Sequence, residues 1–124
     1  MAATGGEIGL NFIPHSGPFA RGIHSTIFAQ CKEKVTGKQL TEVLSDFYAD
    51  CGLVWVGSNP PHLKDVVGSN CAFLSANAEN NTVAVCCVLD NLLKGAAGGA
   101  IQWANRLSGK PDDEGLKNAP PGWI

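Results

Sequence analysis

Arg21 stands in the loop HSGPFARG, between Gly17 and Gly22 and immediately ahead of a strand-like run. A planar guanidinium on such a loop suits a bidentate clamp for a phosphate or carboxylate, and its plain alternative is a solvated loop arginine. His15 follows Pro14 in the same segment, where it either touches a substrate or merely caps the loop. A second group gathers further along. Asn91, Lys94 and Gly95 open a helical segment, and the first N–H groups of a helix lack intrahelical partners and favour a negative ligand. Asn91 is equally suited to capping that helix, and Asn70, within GSNC, to turn chemistry.

Nucleophilic and metal chemistry find less support. The five cysteines, at 31, 51, 71, 86 and 87, show no C-x-x-C spacing, and the three histidines at 15, 24 and 62 do not fall at zinc-ligand intervals from them. No metal site is expected. A catalytic thiolate needs an electropositive, partly exposed setting, and no cysteine has one in its local sequence. Cys86 and Cys87 sit side by side in an apolar run and read as small buried hydrophobes on opposite faces of a strand.

The elements that must hold these groups fit one domain. The chain has 124 residues, 44% hydrophobic and 16% charged, with a formal net charge of −2. That is too apolar for disorder and carries no positive excess for nucleic acid. The longest apolar stretch, Val83 to Leu89, is too short for a membrane span, and MAATGGEIGL lacks a signal-peptide pattern. A soluble, intracellular protein is expected, cytoplasmic or, in a eukaryote, within a plastid or mitochondrion.

Residues 7–13 (EIGLNFI) alternate weakly and read as a short strand. Residues 23–31 alternate cleanly, as a strand covered on at least one side does. Thr36 and Gln39 form a capping box before Leu40, Val43, Leu44, Phe47 and Tyr48 at helical spacing, with Gly52 as the stop. LVWV at 53–56 reads as a strand, followed by a loop through Pro60–Pro61. Strands at 71–76 and 82–89 join through Glu79–Asn80–Asn81 as a hairpin, and TVAVCCVL, apolar on both faces, belongs in the middle of the sheet. A helix follows from Leu92 to about Leu107. Gly95, Gly98 and Gly99 lie in its first half at about 1 kcal/mol each relative to alanine, which calls for close approach of a backbone or ligand there. Residues 109–124 read as an extended strap.

The runs FIPHSGPFARGIHSTIFA (12–29), VVGSNCAF (66–73) and VLDNLLKGAAGGAIQWAN (88–105), in this order, resemble the C-terminal part of N-acetyl-gamma-glutamyl-phosphate reductases. The related aspartate-semialdehyde dehydrogenases share the GS-N/D loop and the DNL-x-KGAA helix, but CAFLSA lacks the arginines they usually carry after that loop. The resemblance implies an α+β fold, a mixed and mainly antiparallel sheet with helices packed on one face, of the GAPDH-like substrate and dimerisation type. Residues 1–90 would be the distal part of that domain. Residues 91–108 would be a C-terminal helix docking on a nucleotide-binding domain absent from this chain, with 109–124 as the tail. The family reduces an acyl phosphate to a semialdehyde in arginine biosynthesis, with NADP and a thioester-forming cysteine. The family's GCYPT-like nucleophile turn, its H-x-H-x-PE segment and a G-x-G-x-x-G loop are all missing here, so the chain is expected to be catalytically incomplete, holding roughly the last third of the reductase. By resemblance Arg21 and His15 contact the substrate, Asn91, Lys94 and Gly95 the cofactor, and the chain forms homo-oligomers or joins a missing N-terminal part. A non-catalytic assembly module, a truncated product and an aspartate-semialdehyde dehydrogenase-type fragment are the competing expectations.

Overall fold

A strand apolar on both faces needs a neighbour along each edge, and the run from Thr82 to Leu89 receives two. In the computed structural model, which describes residues 9–121, the elements are β1 (Ile23–Gln30), α1 (Gly37–Phe47), β2 (Val54–Gly57), β3 (Ala72–Glu79), β4 (Thr82–Leu89) and α2 (Gly98–Leu107). The four strands make one sheet in the order β1-β4-β3-β2, with β4 inside as its composition demands. β4 pairs antiparallel with β1, from Ile23 opposite Leu89 to Gln30 opposite Thr82, and antiparallel with β3, from Ala72 opposite Leu89 to Glu79 opposite Thr82. The hairpin turns through Asn80, whose φ of 58° lies in the left-handed region that asparagine tolerates. β2 runs parallel to β3. The sheet is thus mixed and mainly antiparallel, the α+β class expected from the sequence.

The capping box starts α1 as predicted. Thr36 Oγ1 accepts from the Gln39 N–H at 3.2 Å, and Gln39 Oε1 accepts from the Thr36 N–H at 2.9 Å. α1 packs on β3 and β2 through Leu40, Leu44 and Tyr48, which recur at i, i+4 and i+8 and are half-buried. Val43 and Phe47, read as part of the same stripe, are exposed instead. The neighbouring β1–β4 half of the sheet has less cover. Ile27 and Phe28 point to opposite faces of β1 and are 56% and 71% exposed, so this strand keeps its alternation without the covering layer the alternation implied. Cys86 and Cys87 do face opposite sides, but both are half-buried rather than buried.

Two further expectations change. Residues 9–13, the described part of EIGLNFI, form no strand; a lone extended segment pairs only against an offered edge, and Leu10, Phe12 and Ile13 lie exposed. The tail is not simply extended either. Residues 112–116 fold into turns through Glu114 N–H to Pro111 O and Leu116 N–H to Asp113 O, before an irregular stretch to residue 121.

Those turns bring Leu116 into the core. It is buried with Leu53 and Cys71, at the end of the sheet where β3 begins and β4 finishes, and Val66, Val67 and Val88 are buried too. Polar side chains tie the tail down. Asn118 Nδ2 donates to Gly68 O at 2.7 Å, Asn70 Nδ2 donates to Leu116 O and to Asn118 Oδ1, and Asn105 Nδ2 donates to the carbonyls of Asp112 and Glu114.

Candidate functional site

Directly after β4 comes Asp90, the one carboxylate among the largest fully buried side chains. A buried carboxylate is costly unless every lone pair is met by a donor, and here it is. Arg21 Nη2 lies 2.9 Å from Oδ1 and 2.8 Å from Oδ2, the Gly68 N–H donates to Oδ2 at 2.7 Å, and the N–H groups of Leu92 and Leu93 donate to Oδ1 at 2.8 Å each. Burial by itself would push the carboxyl up. The Arg21 guanidinium and the three N–H donors outweigh it and hold the group at about 2, ionised throughout the ordinary pH range.

Asp90 therefore joins three segments that lie far apart in sequence. Gly68 reaches it with a φ of +81°, a conformation that disfavours any side chain, and Pro121 Cδ lies 2.8 Å from where a Cβ would stand. Next to Asp90, Asn91 Oδ1 accepts from the Gly22 N–H at 2.7 Å. Two consecutive residues at the end of β4 thus hold two consecutive residues, Arg21 and Gly22, at the start of β1.

From this joint a single π-helical turn, Leu93–Ala97, leads into α2. Its wide bonds are visible in Gly95 N–H to Asp90 O at 2.8 Å and Ala97 N–H to Leu92 O at 3.0 Å. The close approach predicted for the glycines is present, and protein atoms make it. A Cβ on Gly98 would stand 1.8 Å from Asn70 Oδ1, and one on Gly95 would stand 3.3 Å from Asp90 O.

The sequence-predicted site residues are only partly brought together. Arg21 and Asn91 meet at the joint. His15 does not: it lies exposed, with Nδ1 3.1 Å from Ile13 O as its polar contact. The free N–H groups expected at the helix start are occupied, since Leu92, Leu93 and Gly95 all donate to Asp90, and Lys94 Nζ donates to Gln102 Oε1 at 2.9 Å. Capping falls to Asp90 rather than to Asn91. At the joint, Arg21 Nε is buried without a partner among the described residues, and Arg21 Nη1 and the Asn91 amide nitrogen make no hydrogen bond there either.

Comparison with known proteins fits this arrangement. A family model described as the semialdehyde dehydrogenase dimerisation domain matches residues 1–91. The chain belongs to that family. It is 43% identical over 118 residues to an N-acetyl-gamma-glutamyl-phosphate reductase of a Bradyrhizobium species, covering 94% of this chain and 36% of that protein. To the protein of the same name from Dehalococcoides mccartyi it is 40% identical, covering 93% and 35%. The chain spans about a third of the length of the curated relatives it matches. Its fold superposes on the crystal structure of aspartate semialdehyde dehydrogenase II from Vibrio cholerae, complexed with ASA, with a TM-score of 0.54 at 18% identity, covering 71% of this chain and 27% of that one.

Within a dimerisation domain, the cysteines read as packing groups. Burial pushes the thiols of Cys71 and Cys87 up, only partly opposed by the charge of Lys94 and, at Cys71, by a hydrogen bond with Ser69. Among the described residues no cluster of three or more His, Cys, Asp or Glu could hold a metal, and no helix is long and apolar enough to cross a membrane. Asp90 is the residue that sequence reading missed. The signal was there: a carboxylate directly after an apolar central strand is headed for burial and requires a cation.

Proposed function

We propose that this chain is the C-terminal part of an NADP-dependent N-acetyl-gamma-glutamyl-phosphate reductase, reducing an acyl phosphate to a semialdehyde in arginine biosynthesis, and that the nucleophile and the nucleotide-binding domain lie outside it. The observation that carries the reading is the Arg21 guanidinium, pinned at the Asp90–Asn91 joint with two donors left over. Such a group suits the phosphoryl oxygens of an acyl phosphate, where a positioned cation stabilises charge on the departing phosphate. The reduced cofactor, NADPH, would supply the hydride when bound. The Asn91 amide nitrogen is the group of this chain suited to the nicotinamide carboxamide, while Lys94 and Gly95 shape the helix start behind it. His15 would reach substrate only through movement of its loop.

The bare faces fit a subunit whose partners are elsewhere. In α2, Ile101, Trp103 and Leu107 are exposed, Leu107 at 83%, as a helix is that docks on another domain. Exposed Ile23, Ile27 and Phe28 suit the association that the family's description names.

A hybrid tests the assignment. The corresponding third of the Bradyrhizobium protein is replaced by this chain, and NADP-dependent oxidation of N-acetylglutamate semialdehyde in phosphate is followed by absorbance. The hybrid is expected to turn over and the isolated chain to show none. An inactive but folded hybrid overturns the assignment, and turnover by the isolated chain overturns the claim of incompleteness.

A further inference from the structure

Asp90 cannot touch a ligand. Both of its oxygens are filled by protein donors and the side chain is fully buried, so whatever it contributes passes through the groups it holds. The manner of its hold on Arg21 is specific. One nitrogen, Nη2, spans both carboxylate oxygens, whereas a paired arginine commonly offers two nitrogens to the two oxygens. Spending a single nitrogen leaves Nε and Nη1 over. Nε is buried with no partner among the described residues, and an orphaned donor of that kind is costly enough to call for an acceptor. Nη1 is neither bonded nor buried, and the side chain keeps 33% of its exposure.

We propose that Asp90 is a positioning residue for anion binding. It fixes the guanidinium by Nη2 so that the exposed Nη1 faces a phosphoryl oxygen, and through Leu92, Leu93 and Gly68 it locks the helix start and the 66–70 loop in the same register. The inference rests on the reading of Arg21 as the phosphate-contacting residue. It makes a prediction opposite in sign to simple electrostatics. Removing a negative charge beside an anion site strengthens anion binding by Coulomb's law. Removing a positioning group weakens it, because the guanidinium then samples many orientations.

The test titrates the 124-residue chain with inorganic phosphate and follows the Arg21 Nε–H resonance by nitrogen-15 NMR, with circular dichroism as the check on folding. In the wild-type chain phosphate shifts this resonance and the neighbouring Gly22 amide saturably, and in Arg21→Lys the Gly22 amide no longer shifts saturably. Asp90→Asn, nearly isosteric, weakens phosphate binding by about tenfold, on the scale of one charge-assisted hydrogen bond. Asp90→Glu keeps the charge but moves the carboxylate by one methylene; it is expected to weaken binding severalfold and decides the matter if Asp90→Asn does not fold. Unchanged or tighter binding in a folded Asp90 variant, with the wild-type response intact, overturns the positioning role alone. A wild-type chain whose Arg21 resonance ignores phosphate overturns both the clamp and the inference built on it.

Discussion

Replacing Gly98 by alanine sets two physical effects against each other. Helix propensity favours alanine by about 1 kcal/mol at a helical glycine. Here the new Cβ would stand 1.8 Å from Asn70 Oδ1 and 2.9 Å from Leu93 O, neither distance being tolerable. Leu93 O belongs to the backbone of the π turn and cannot swing aside, so Asn70 must move. Its Nδ2 then gives up Leu116 O and Asn118 Oδ1, two bonds at about 0.5–1.5 kcal/mol each, and overpacking adds about 1–3 kcal/mol. After the propensity gain, a net loss of about 1–5 kcal/mol is expected, whose middle value lowers Tm by roughly 10 °C for a domain of this size. Urea denaturation followed by circular dichroism measures the loss. The reactivity of the Cys71 thiol reports the local event, because Cys71 is buried beside Leu116 and becomes accessible when the tail lifts. In an Asn70→Ala background the cost of the same substitution falls by about 1 kcal/mol or more, as expected for two residues that share a contact. A Gly98→Ala chain as stable as wild type, or more so, refutes the reasoning, since propensity would then have outweighed the contact.

Acid stability follows from Asp90, whose carboxyl sits at about 2 in the fold against 3.8 for an ordinary aspartate. A depressed folded value means that the contribution, about 2 kcal/mol, is complete above 3.8 and lost as pH falls through about 2; urea midpoints measured down the acid limb give the slope, and an identical slope in Asp90→Asn would contradict it. Self-association is expected of the isolated chain, driven by apolar faces such as that around Ile27, and Ile27→Lys should weaken it. A monomeric sedimentation profile at every concentration would count against that surface.

What the sequence revealed and what it hid divide along the range of the interactions. The start of α1 was readable because Thr36 and Gln39 are three residues apart and carry their own capping chemistry. The central place of β4 was readable because a run with no polar face leaves no other position. Coverage was not readable: the alternation of β1 records which residues share a face, but nothing local says whether a layer lies over it. The three helix glycines announced a close approach without naming what approaches; at Gly98 it is Asn70, from the loop that precedes β3 in sequence, and at Gly95 it is the Asp90 carbonyl. Asp90 shows why a site can be half legible. Its partner Arg21 is 69 residues away, and each residue alone has an ordinary surface reading. Taken together with topology the pairing is nearly forced. β1 begins where β4 ends, Ile23 opposite Leu89, so the residues just before β1 and just after β4 must be neighbours, and a carboxylate buried at that point has the arginine two residues before Ile23 as the cation within reach. A resemblance to dehydrogenases directs attention to the asparagine and the glycines of the same motif. The antiparallel register directs it to the aspartate before them, which makes the chemistry of this end of the sheet a consequence of how β1 and β4 are paired.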